Sequence, residues 1–361
     1  MSSRASAPLA VFNTIAFIFV VSPYGAFAQD HFRGDRKSLC CAQHVKAALE
    51  RHGVMDANAI LSIEEMYRAD ALAVEAGISS LELMENAGQG IADAIQARWL
   101  PCPLIVLAGP GNNGGDGFVV ARLLQEAGWP VKVALLGDVS NLKCDAAVNV
   151  GRWRGDVRPL GIDVLDGAEL VIDALFGAGL ARPLEGAAAE VIEAVDARWL
   201  TCVAADETSG VQGDSGRVMV TAAHAELTVC FFRPKPAHFL MPGRDYCGEV
   251  EVVAIGIPET VLEEIRPATQ ANDPALWGGR FPWPDALGHK YSRGHAVIAG
   301  GAAMTGAAQL AAGAARRTGA GLVTLAVPPA AFDIYASGQP GNLVRSVVDR
   351  HAFAKVVAEP R

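Results

Sequence analysis

Six polar residues of this chain stand where chemistry is easiest to do. Asn112, Asn113 and Asp116 fall inside the glycine-rich run Gly109–Gly117, GPGNNGGDG. Asp173 lies near the end of the apolar run Leu170–Ala174, while Asp206 follows the apolar run Cys202–Ala205, with Ser209 just behind it. Amides, carboxylates and a hydroxyl, without thiolate or imidazole, make an oxygen-only ligand set that suits a hard cation rather than zinc. A carboxylate beside a bound ring can also serve as general base, and Asp206 is the candidate. A lone acid at a strand end is commonly a turn cap. The case for a site rests on three such ends carrying polar groups together.

The elements around these residues must bring them to one place. Leu104–Ala108 (LIVLA) is a short continuous apolar run, as expected of a parallel strand covered on both faces. The glycines after it would let the backbone approach a bound group, and a helix over Phe118–Ala127 would offer N–H groups to phosphate. Further strands are expected at Val131–Leu136, Leu170–Ala174, Cys202–Ala205, Arg217–Thr221, Leu227–Phe231 and Glu249–Ile255. Two helices come first, each opened by a capping-box pattern, Ser62-Ile63-Glu64-Glu65 and Ser79-Ser80-Leu81-Glu82. Another is expected over 186–197. This alternation predicts an α/β fold, a Rossmann-like doubly wound, mostly parallel sheet with helices on both faces. Ligands of such sheets sit beyond the carboxyl ends of the strands, where the six polar residues fall.

A chain of 361 residues with 51% hydrophobic and 19% charged residues is a core-forming one, long enough for two domains. A net charge of −9 argues against a nucleic-acid partner, whose contact face should be basic. The seven cysteines are scattered without a C-x-x-C pair, which fits reduced thiols in a cytoplasmic protein. Residues 1–28 point the other way. Arg4, the apolar stretch Leu9–Val21 and Ala26-Phe27-Ala28 follow the pattern of an exported protein's signal peptide, too short for a membrane span. The competing reading is an over-extended start, with Met55 just ahead of the first helix. Residues 1–59 are accordingly taken as an N-terminal extension and the protein as cytoplasmic with no membrane partner.

The run GPGNNG satisfies G-x-G-x-x-G, and Asp138 stands at the distance of a ribose-binding acid. Taken literally, this is the fingerprint of a nicotinamide-dependent oxidoreductase, or of a nucleotide-binding module without catalysis. Both asparagines and Asp116 are superfluous for that job, and no residue suggests a hydride relay. Walker, H-E-x-x-H and G-x-S-x-G motifs do not occur.

Residues 60–258 resemble the NAD(P)H-hydrate epimerase domain, the YjeF N-terminal family. The resemblance is carried by Leu61-Ser62-Ile63-Glu64-Glu65-Met66, by the loop Gly109–Gly117, and by Asp173-Ala174-Leu175-Phe176-Gly177-Ala178-Gly179. It continues through Asp206–Gly210 and from Gly248-Glu249-Val250 to Gly256-Ile257-Pro258. It implies repair of hydrated NADH and NADPH by interconversion of the R and S epimers at the hydrated ring carbon, with a homodimer as the assembly. Carried onto this chain, Asn112, Asn113, Gly114, Gly115 and Asp116 would bind the hydrated cofactor. Gly177, Ala178, Gly179, Leu180, Ala181, Arg182 and Pro183 would line its phosphates. Asp206 would contact the substrate and transfer the proton, and one K+ per site would be held by Asn113, Asp173 and Ser209. The family's D-x-P-S-G reads Asp206-Glu207-Thr208-Ser209-Gly210 here. Loss of the proline is expected to loosen the turn that aims Ser209.

Residues 259–289, with Trp277, Pro282, Trp283 and Pro284, read as a linker. From Lys290 the chain resembles the start of a second family, the ADP- or ATP-dependent NAD(P)H-hydrate dehydratases, whose fold is ribokinase-like. Lys290–His295, Gly300-Gly301, Thr305-Gly306-Ala307 and Gly319–Val323 carry this likeness, and Ala307 would lie near the substrate. That family's later G-T-G-D stretch does not occur in residues 290–361. The expectation is therefore an incomplete, inactive second α/β domain attached to an active isomerase.

Overall fold

The computed structural model describes residues 18–21, 57–177, 179–281 and 283–359. The chain divides into two compact units, one over Ser38–Gly279 and the other formed by Arg280–Arg361 with Met1–Lys37.

The first unit is built on seven parallel strands: β1 (Leu104–Ala108), β2 (Val131–Leu135), β3 (Val157–Pro159), β4 (Leu170–Ala174), β5 (Thr201–Ala205), β6 (Leu227–Phe231) and β7 (Glu249–Val253). Their order across the sheet is β7-β6-β5-β4-β1-β2-β3. The chain starts in the middle, runs to one edge through β2 and β3, and returns to the other side of β1 with β4. The loops leaving β1 and β4 therefore part at a topological switch point and open a crevice.

Helices α1 (Ile63–Glu75), α2 (Ser80–Arg98), α3 (Asn112–Glu126), α4 (Cys144–Arg152) and α5 (Gly186–Ala197) cover the sheet. Alternation along β1 explains why both faces are apolar. Leu104, Val106 and Ala108 join the core beneath α1, α2 and α3, while Ile105 and Leu107 join the core beneath α5. Both faces of the central strands are thus removed from water, which accounts for the unbroken apolar runs.

Both early helices start where the sequence marks them. Ser62 accepts from the Glu65 N–H (3.2 Å) while Glu65 Oε2 accepts from the Ser62 N–H (2.8 Å), so that capping box is complete. At Ser79 only half is made, the hydroxyl accepting from the Glu82 N–H. The largest departure is at the glycine-rich run. α3 begins at Asn112, with Gly111 as its extended N-cap, so NNGGDG is the helix's opening turns and not a loop ahead of it. Glycine is needed there for contact. A Cβ on Gly114 would lie 1.9 Å from the Gly109 carbonyl oxygen.

Residues 261–277 carry more structure than a linker requires. A helix over Val261–Ile265 buries Val261 and Leu262, and Thr269–Gln270 pairs antiparallel with Ala59–Ile60. The expected strand at Arg217–Thr221 is shorter, Arg217–Val218, and pairs antiparallel with Val211–Gln212.

The second unit holds β8 (His295–Ala299), α6 (Thr305–Arg317), β9 (Leu322–Val327) and β10 (Leu343–Ser346). β8, β9 and β10 are parallel, and Ile18–Val21, from the signal-like stretch, adds antiparallel to β8. Ala26–Ala28 and Met55 lie outside the described residues. Among those residues no helix is long and apolar enough to cross a membrane.

Candidate functional site

The crevice at the switch point widens into a cavity of about 780 Å³, the size of a small-molecule site. Asn112, Asn113, Asp116, Gly177, Gly179, Leu180 and Asp206 all line it. A stripe of α1 also lines it: Ile63, Met66, Tyr67, Asp70 and Val74.

Asp206 takes the left-handed conformation (φ +65) as β5 ends. Its own N–H donates to the Val229 carbonyl (2.8 Å), so the turn is tied to β6. Oδ1 accepts from the Phe231 N–H (3.3 Å) and from the Lys235 ammonium. Oδ2 is left for the cavity, 3.5 Å from where a Cβ on Gly177 would sit. Lys235 is fully buried, and its ammonium also donates to the Phe231 carbonyl (3.4 Å) and reaches the Cys230 thiol (3.5 Å). Burial would lower its pKa, but Asp206, Cys230 and Glu207 together outweigh this and hold it above the ordinary lysine value.

Behind the cavity wall, Asp173 and Ser209 are both wholly buried. Ser209 donates its N–H to Asp173 Oδ2 (2.8 Å) and its hydroxyl to Oδ1 (2.6 Å). Ser209 Oγ also faces the Phe176 carbonyl (3.2 Å). Burial raises the Asp173 carboxyl, and the bonds from Ser209 and Leu175 partly offset this. Among the described residues no cationic side chain acts on it. The Asn113 amide lies between the Ala205 carbonyl (3.1 Å) and the Gly177 N–H (3.2 Å), and both are satisfied with Nδ2 toward the former. The carboxylate of Asp173, the hydroxyl of Ser209 and the Asn113 amide oxygen are donors of the type a hard cation takes.

Thr208 in place of proline does not leave Ser209 loose. Thr208 accepts from the Val211 N–H (3.1 Å) and donates its hydroxyl to the Tyr246 carbonyl (3.4 Å). Gly210 (φ +100) has no room for a Cβ, which would lie 1.9 Å from the Thr221 carbonyl oxygen.

Glu207, His238 and Cys247 form a separate buried cluster, with atoms of metal-ligating type within 4.8 Å of one another. The Lys235 N–H donates to His238 Nδ1 (3.1 Å), and His238 Nε2 faces Glu207 Oε2 at 3.2 Å; burial would lower the ring's pKa, but Cys230 and Glu207 hold it above the ordinary histidine value. Burial and the neighbouring Glu207 push the Cys247 thiol up, and it donates to Glu207 Oε1 (3.1 Å).

Several expected site residues are elsewhere. Gly114 and Gly115 are buried helix-packing positions that do not line the cavity. Ala181, Arg182 and Pro183 are exposed and do not line it either, because the chain has turned outward after Leu180. Ala178 lies outside the described residues. Ala307 is an exposed residue of α6 in the second unit. Asp138 is not a strand-end acid: β2 stops at Leu135, and Asp138 caps a short turn by accepting from Ser140. Being away from the cavity, it cannot bind a ribose there, and the hydride-transfer reading loses its acid.

Two cavity residues escaped the sequence reading. Asp70 shows in the sequence only as a polar residue within the apolar stripe of α1, which by itself does not place it in a site. Lys235, in Arg-Pro-Lys-Pro, carries no local signal, since its burial depends on β6 and the turn after β5.

Residues 80–237 match the family described as YjeF-related protein N-terminus. The NAD(P)H-hydrate epimerase of Rhodobacter capsulatus is 40% identical over 193 residues, covering 50% of this chain and 91% of that protein. The chain belongs to the NAD(P)H-hydrate epimerase (YjeF N-terminal) family. The bifunctional NAD(P)H-hydrate repair enzyme Nnr of Coxiella burnetii is 38% identical over 288 residues, 77% of this chain and 58% of that protein. The chain spans about half to three-fifths of such bifunctional relatives, 48% of the one from Thermofilum pendens. The crystal structure of yeast YNL200c covers 59% of this chain with a TM-score of 0.50 at 20% identity, a likeness of fold.

Proposed function

We propose that this chain epimerises hydrated NADH and NADPH at the hydrated ring carbon, as an isomerase of nicotinamide nucleotide repair. The supporting observation is the meeting of Asn112, Asp116 and Asp206 in one cavity at the switch point, with the Asp173–Ser209 pair directly behind. The amide of Asn112, in the first turn of α3, would bind the cofactor, where the helix N-terminus also favours its phosphates. Asp206 Oδ2 would exchange the proton, its other oxygen being committed to Lys235 and Phe231.

Asn113, Asp173 and Ser209 would hold one K+, which would supply fixed positive charge beside the nucleotide. That charge would also satisfy the buried Asp173 carboxylate. A homodimer, and a cytoplasmic setting, belong to the same proposal. For the second unit we propose a role as part of a dehydratase, and ADP or ATP would serve that activity alone.

The test is Asp206→Ala in the full chain. R-to-S interconversion should fall at least 100-fold, the scale of a lost proton-transfer group, while the thermal transition persists. Undiminished interconversion would remove Asp206 from the reaction.

A further inference from the structure

We propose that Asp70 is a second proton-transfer residue of this cavity, working opposite Asp206 on the hydrated nicotinamide ring. The proposal rests on the epimerase reading above.

The need for a second group comes from the substrate's chemistry. Its hydroxyl stands on a carbon that is also bonded to the ring nitrogen. To invert that carbon, one of its bonds must break and re-form. The C–H bond is a poor choice, because no adjacent carbonyl would stabilise the carbanion. The C–N bond is a good one. A base removes the hydroxyl proton, the oxygen's electron pair forms C=O, and the C–N pair leaves to nitrogen, where it is delocalised into the conjugated carboxamide. An acid protonates that nitrogen. Rotation about the adjoining C–C bond turns the other face of the aldehyde to the nitrogen. Closure then returns both protons to their donors. Atoms and electrons balance without an oxidant or reductant. The step needs one group that enters unprotonated and one that enters protonated, and two carboxyl groups in different surroundings can supply both.

Five carboxyl side chains line the cavity: Asp70 and Glu75 from α1, Asp116 from α3, Asp145 from α4 and Asp206 after β5; Glu75 is exposed, and Asp116, Asp206 and Asp70 are the ones whose charges act on one another. Asp206 stands against the Lys235 ammonium, which suits the base. Asp70, on α1, lines the same cavity and has no hydrogen-bond or ion-pair partner among the described residues, so its carboxyl is free to face a substrate. Burial lifts Asp70 to about 6, with Lys235 pulling it down and Asp206 pushing it up. It therefore carries a proton for a useful fraction of the time near neutral pH. Asp116 is raised well above the carboxylate range by burial, then by Asp206 and Asp70. At 7% exposure it suits a standing hydrogen-bond donor better than a group that must cycle its proton. The charged and titratable groups that share Asp70's cavity are Lys235, Asp206 and Asp116, with Tyr67 and Glu75 on α1 and Asp145 on α4.

The experiment follows R-to-S interconversion of hydrated NADH by the full chain at saturating K+, from pH 5 to 9, for wild type, Asp70→Asn and Asp70→Glu. The wild-type kcat should decline above about pH 6, as the acid loses its proton. Asp70→Asn should lower kcat by about 100-fold or more, change KM by less than about threefold, and abolish that pH dependence. Asp70→Glu should recover a substantial part of kcat. A purely structural role would move KM and thermal stability but leave the pH limb in place. An Asp70→Asn enzyme that keeps kcat, or keeps the limb, overturns this proposal alone, provided Asp206→Ala is inactive. A wild type that does not interconvert the epimers overturns the epimerase reading and this proposal together.

Discussion

Replacing Asp70 by asparagine should make the protein more stable at neutral pH and leave it almost unchanged in acid. The folded carboxyl is raised from 3.8 to about 6 by burial, so near neutrality the folded state holds an unwelcome charge that the unfolded chain carries freely. A rise of about two pH units corresponds to about 3 kcal/mol, and discounting for water in the open cavity leaves about 2 kcal/mol. The sign follows from the direction of the shift. Below about pH 4 both states are protonated and no penalty exists. Between about 4 and 6 the unfolded chain ionises first, so stability drains away. Above about 6 the whole penalty is present. Asparagine keeps the shape and removes the charge. Urea denaturation of wild type and Asp70→Asn at pH 7.5 should separate them by about 2 kcal/mol in favour of the variant, shrinking to a few tenths at pH 4. A variant no more stable than wild type at pH 7.5, or one whose gain ignores pH, would refute the burial argument. Stability gained where proton transfer is lost is the usual bargain at an active site.

Three other outcomes follow from the geometry. Gly114→Ala would drive a methyl into the Gly109 carbonyl oxygen, 1.9 Å away, and should cost about 3 kcal/mol or prevent folding, read by thermal unfolding. Lys235→Met strands the Asp206 carboxylate and should cost about 3 kcal/mol in denaturant. Adding Asp206→Asn should return part of this, and strictly additive losses in that double-mutant cycle would deny the ion pair. Asp173→Asn removes the charged ligand of the proposed cation set and should raise the KCl concentration for half-maximal epimerisation at least tenfold, measured by titrating KCl against a sodium control.

The fold was legible because its strongest signals are local. Apolar runs such as Leu104–Ala108 and Leu227–Phe231 can only be covered strands, and Ser62 with Glu65 marks a helix start by its own chemistry. The start of α3 was misplaced because glycines at 114, 115 and 117 look like loop residues. Their actual reason is contact with Gly109, Met84 and Ala174, which no local pattern reveals. The polar residues at strand ends were legible for the same reason as the strands. Asp70 and Lys235 were not, because each matters through partners far away in sequence: Lys235 is made important by Asp206, 29 residues earlier. Ala181–Pro183, expected to line the phosphates, are exposed and do not line the cavity.

The central claim is tested most directly by giving the full chain a single epimer, pure R-form hydrated NADH in K+ buffer, and following the S form by chromatography. The account predicts approach to the same R/S mixture from either starting epimer, much faster than without protein, with no oxidation of the ring and with loss of the effect in Asp206→Ala. Interconversion no faster than in buffer would contradict it.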